Sequence, residues 1–136
     1  MAQAILADAN IQGHLQALLT VLEGPSWREV WASLALPLFT FRDLGLAADA
    51  ADATVWQVCQ QRQVILITAN RNAAGPDSLE ATIRACNTET SLPVFTLADP
   101  EQVLRSRDHA ERVAERLLEY LIDIDNYRGT GRLYLP

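Results

Sequence analysis

Val64-Ile65-Leu66-Ile67-Thr68 decides the fold. The run is continuous, rich in β-branched residues and apolar up to its last residue. A half-buried strand alternates in polarity; this one does not. It is therefore expected to be buried on both faces, as in a parallel sheet covered by helices. Moving outward, three weaker runs share its character. Ala4-Ile5-Leu6-Ala7 ends in Asp8, Pro37 to Phe41 begins with a proline, and Leu92 to Leu97 follows a polar stretch.

Between these runs the apolar spacing turns helical. Ile11, Leu15, Leu18, Leu19 and Leu22 form one stripe, ended by Gly24-Pro25. Ser26 with Glu29 reads as a capping box. It would open a short helix through about Leu34, with Trp27, Val30, Trp31 and Leu34 on one side. The next helix opens at Asp49 to Asp52, with Asp49 as its expected cap and Val55, Trp56, Val58 and Cys59 inward. Ser78 is expected to cap another through about Thr88, with Leu79, Ile83 and Cys86 inward. Asp99-Pro100 starts a short helix, since proline suits the first helical position. A longer helix at about 108–125 turns Val113, Leu117, Leu121 and Ile124 to one face, and residues 127–136 read as a glycine-punctuated tail.

Strands and helices thus alternate along one domain spanning residues 1–136. Alternation of this kind predicts a three-layer α/β/α sandwich around a central parallel sheet of four or more strands. A chain of 136 residues buries about two-thirds of its unfolded surface, enough for an independent core. Apolar residues make up 49% and charged residues 21%, a balance that excludes disorder. The 11 basic residues are all arginine. With no lysine, Schiff-base chemistry, a phosphate-loop lysine and a receiver-type phosphotransfer site are excluded. The net charge of −6 argues against broad, non-specific nucleic-acid binding. The N-terminus lacks a basic start and Asp8 interrupts its apolar run, unlike a signal peptide. No apolar run reaches the ~20 residues of a membrane span. A cytoplasmic protein with no membrane association is expected, with Cys59 and Cys86 as reduced thiols.

In parallel α/β sheets, ligands bind at the carboxyl ends of the strands. The polar residues predicted there are Asp8, Asn10, Asp43, Asn70, Asn72 and Asp99. Asp8-Ala9-Asn10 after the first strand resembles the opening of PIN-domain nucleases. Asp52-Ala53-Thr54-Val55, followed by a helix, the strand Val64 to Ile67 and Thr68-Ala69-Asn70, resembles the later part of the same fold. Phe41-Arg42-Asp43-Leu44-Gly45-Leu46 looks like the small stand-alone PIN-like branch of bacterial genomes. The likeness spans roughly Ile5 to Leu97.

The resemblance implies an endoribonuclease that cuts single-stranded RNA with Mg²⁺ or Mn²⁺. Hard divalent ions take oxygen ligands, and clustered carboxylates offset their dehydration. Carried over by position, Asp8 matches the first metal-binding acid and Asp52 a later one. Asn70 stands where the family has an aspartate, so catalytic and metal roles fall to Asp8, Asp52 and Asn70. An amide oxygen can ligate a metal, but it carries no charge and is not a base. Asn10, Arg71 and Asn72 are the candidates for substrate contact. Asp43, Asp49 and Asp77 are candidate additional acids.

Each residue also has a plainer reading. Asp8 and Asp52 could be helix caps, Asp43 a turn residue, and Asn70 and Asn72 loop formers. Arg71 could clamp a phosphate or pair with a nearby acid. His14 and His109 read as surface residues, and the three tryptophans as core. The neutral Asn70 keeps a second expectation open: a PIN-like module without nuclease activity that binds a protein or nucleotide. The apolar face of the last helix, with Leu133-Tyr134-Leu135, suggests a homodimer interface.

Overall fold

The computed structural model describes residues 2–71 and 75–136. Asn72, a candidate substrate contact, lies outside the described residues. Among the described residues, five strands form one sheet: β1 Ala4–Ala7, β2 Leu38–Phe39, β3 Val64–Thr68, β4 Val94–Leu97 and β5 Arg132–Leu135. Their order is β2-β1-β3-β4-β5 and every pairing is parallel. The described α-helices connect them: α1 Gln12–Leu22, α2 Arg28–Leu34, α3 Asp52–Arg62, α4 Leu79–Cys86, α5 Pro100–Arg105 and α6 Arg107–Ile122. The result is the three-layer α/β/α sandwich expected from the alternation.

Burial on both faces explains the unbroken apolar runs. All five residues of β3 are buried. Ile65 and Ile67 pack with Leu18 and Leu22 of α1 and Val113 and Leu117 of α6. Val64 and Leu66, on the other face, pack with Trp56 and Cys59 of α3 and Leu79 and Ile83 of α4. The order reverses between β1 and β3, a common doubly wound arrangement whose crevice lies outside the carboxyl ends of those two strands. Asp8 follows β1, and Ala69-Asn70 follows β3.

Several local expectations are corrected. The second strand is two residues long at the sheet edge, where Pro37 offers its carbonyl to the Ile5 N–H. An edge tolerates a residue with no N–H to donate. The Ser26 capping box does not form. Trp27 is the N-cap of α2 without a side-chain bond, and the Gly24 carbonyl takes the Trp27 and Arg28 N–H groups instead. Asp49 does not cap α3; Ala51 does, with no side-chain bond, and Asp49 is an exposed turn residue. Cys86 ends α4 exposed, whereas Cys59 is buried.

The largest correction concerns the tail. Residues 132–135 are β5, paired along their whole length with β4. Gly129 and Gly131 make the entry with φ of +89° and +83°, a region costly for residues with a Cβ. A Cβ on Gly131 would sit 3.1 Å from Ile83 Cγ2. Leu135 is buried and Leu133 packs partly on the core, whereas Tyr134 between them is exposed. Among the described residues, no helix is long and apolar enough to cross a membrane.

Candidate functional site

Asp8 closes β1 and caps the 3-10 turn at Ala9–Ile11, where its Oδ1 accepts the Ala9 N–H at 2.8 Å. Its Oδ2 accepts the Thr68 hydroxyl at 2.8 Å. One carboxylate thus caps the turn and bonds the end of β3. Thr68 is fully buried, and its Oγ1 also accepts the Asn70 backbone N–H at 2.9 Å. The Asn70 side chain then donates Nδ2–H to Asp52 Oδ2 at 2.8 Å. Asp52 is the first residue of α3, where the helix dipole favours negative charge.

Asp8, Thr68, Asn70 and Asp52 are thus one hydrogen-bonded chain over the β1–β3 crevice. The three residues assigned the central roles in sequence are brought together, with Thr68 as the link. The Asp8 charge is also felt beneath the site. Burial pushes the Cys59 thiol from an ordinary 9.0 up to about 12, and Asp8 adds to the shift.

The other candidates are more scattered. Asp43 exchanges bonds with Thr40: its Oδ2 accepts the Thr40 N–H at 2.8 Å, and Thr40 Oγ1 accepts the Asp43 N–H at 3.1 Å. The Thr40 backbone N–H, then its hydroxyl, hold the Asp43 carboxyl below its ordinary value. Asn10 is exposed in the turn after Asp8, Arg71 is exposed beside Asn70, and Asp77 is exposed just before α4. Among the described residues, no three His, Cys, Asp or Glu side chains gather closely enough to hold a metal ion.

Sequence reading missed the other end of the network. Arg132 Nη1 donates to the Asn70 carbonyl at 2.8 Å and to Thr96 Oγ1 at 2.7 Å. Its Nη2 donates to Glu80 Oε2 at 3.0 Å. Register accounts for the alignment: Thr68 pairs with Thr96, and Thr96 with Tyr134, one position beyond Ala7 against Ile67. Arg132 lies two residues before Tyr134, hence on the same face. A cation flanked by Gly131 and Leu133 was the available signal. The chain matches no protein-family model, no curated protein and no solved structure.

Proposed function

We propose that this chain is a PIN-like endoribonuclease with a reduced acidic site, acting on single-stranded RNA with Mg²⁺ or Mn²⁺. The observation that carries the reading is the Asp8–Thr68–Asn70–Asp52 chain at the carboxyl edge of the sheet. The donors fit a hard divalent ion in kind, being oxygens, and fit it sparsely in charge, with two carboxylates. Mg²⁺ sits on one or two carboxylates when substrate phosphate and water complete its shell. Asp8 and Asp52 would hold the ion, with the Asn70 amide oxygen as a neutral ligand. A bound ion polarises the scissile phosphate and activates water. Thr68 orients the Asp8 carboxylate, Asn70 orients Asp52, and exposed Arg71 supplies a guanidinium for a neighbouring phosphate. The compartment in this reading is the cytoplasm. Leu133 and Leu135 pack within the chain, which leaves exposed Tyr134 as the tail's apolar group for the homodimer contact in this reading.

One observation favours a second reading. Asn70 turns its amide N–H to Asp52, so a neutral donor already balances that carboxylate. A PIN-like module without nuclease activity, binding a protein or nucleotide, would keep the same network. The deciding experiment incubates single-stranded RNA with wild type and Asp8→Ala, in Mn²⁺ and in EDTA. Cleavage by wild type in Mn²⁺ alone supports the nuclease. Cleavage by neither protein removes it in favour of the binding module.

A further inference from the structure

Arg132 opens β5 with its side chain only 6% exposed. Its three bonds reach three different elements: the loop after β3 at Asn70, β4 at Thr96, and α4 at Glu80. Its Nε is buried without a partner among the described residues. Packing alone does not call for such a residue. A buried cation must recover its desolvation through bonds, and an apolar side chain of similar volume is often as stable or more so.

What the cation does is local and directional. The Asn70 backbone is held on both sides of its Cα, its N–H by Thr68 and its C=O by Arg132. The same residue's side chain then reaches Asp52. We propose that Arg132 is a positioning residue: it fixes the Asn70 backbone so that the Asn70 side-chain amide stays on Asp52. What this positioning serves rests on the metal-site reading above; the positioning itself does not. Arg132 acts through Asn70, with Glu80 steering the guanidinium from the far side.

The test follows the Asn70 side-chain amide signals in ¹⁵N-labelled protein, alongside Mn²⁺ titration. Arg132→Lys keeps a charge opposite Glu80, so it preserves the fold while losing the fork that serves three acceptors at once. Glu80→Gln loosens Arg132 without removing it. Gln60→Ala is the control: it cuts the bonds between Gln60 and the Leu92 backbone and lowers stability without touching Asn70. The Asn70 amide signals should shift in Arg132→Lys and, less, in Glu80→Gln, and stay in place in Gln60→Ala. Mn²⁺ affinity should fall about tenfold in Arg132→Lys, as for other residues that orient metal ligands. Unmoved Asn70 signals in Arg132→Lys, or an equal shift in Gln60→Ala, would overturn the proposal. If wild type takes up no Mn²⁺, the metal reading fails, and the Asn70 signals still decide the role of Arg132.

Discussion

The amide of Asn70 stands 2.8 Å from the carboxylate of Asp52, donating to its Oδ2. A hydrogen-bond donor thus occupies the place where an aspartate would set two carboxylates against each other. Asn70→Asp should lower the stability of the metal-free protein at neutral pH by about 1–3 kcal/mol, through the lost bond and the new repulsion. Mn²⁺ should restore it. Thermal melts with and without the ion read this directly; a variant as stable as wild type and indifferent to Mn²⁺ contradicts it.

Thr68 serves two masters from one hydroxyl, donating to Asp8 and accepting from Asn70. Thr68→Val conserves shape and removes both bonds in a fully buried position. Urea denaturation should show a loss of about 1–3 kcal/mol, the range for leaving buried polar groups unsatisfied. A leucine-rich core elsewhere would not feel the change, so the m-value should stay constant.

The sheet was legible because its strands announce themselves. Val64 to Thr68 lacks alternation since both of its faces are covered, and Asp8 and Asn70 lie where expected, just past the ends of β1 and β3. β5 was not legible. Gly129 and Gly131 look like tail punctuation until their positive φ values show a tight entry to a strand, and Arg132 masks the apolar pattern because its partners come from Glu80, Thr96 and Asn70. The same reason hid the link between Asp8 and Asp52. Side-chain bonds across 60 and 18 residues of sequence leave no periodicity to read. Asp49 failed as a cap because it sits in the turn at Ala47 to Ala50, and α3 begins only at Asp52, after Ala51.

Gln60 imitates a strand neighbour. Its Nε2 donates to the Leu92 carbonyl and its Oε1 accepts the Leu92 N–H, both at 2.9 Å. Gln60→Ala leaves both backbone groups without partners just ahead of β4 and should cost about 1–3 kcal/mol. Hydrogen exchange should quicken at the Leu92 amide and remain unchanged at Ile65 in β3.

The two cysteines should separate by reactivity. Cys86 is exposed and Cys59 buried, so a thiol reagent should modify one site in the native protein and both after unfolding. The Cys59 pKa carries a sign. An acid whose native value is raised holds its proton more tightly when folded, so its contribution is fully present below the ordinary 9.0. It is lost as pH climbs toward about 12. Replacing Cys59 with Val should flatten the decline in stability across that alkaline window relative to wild type.

Under the proposed function, Asp8 and Asp52 would hold a divalent ion at the carboxyl ends of β1 and β3. The most direct measurement is calorimetric titration with Mn²⁺ of wild type, Asp8→Ala and Asp52→Asn. Micromolar binding to wild type that vanishes in Asp8→Ala and weakens in Asp52→Asn is the expected result. No binding to wild type, or equal binding to all three, would make the Asp8–Asp52 network structural.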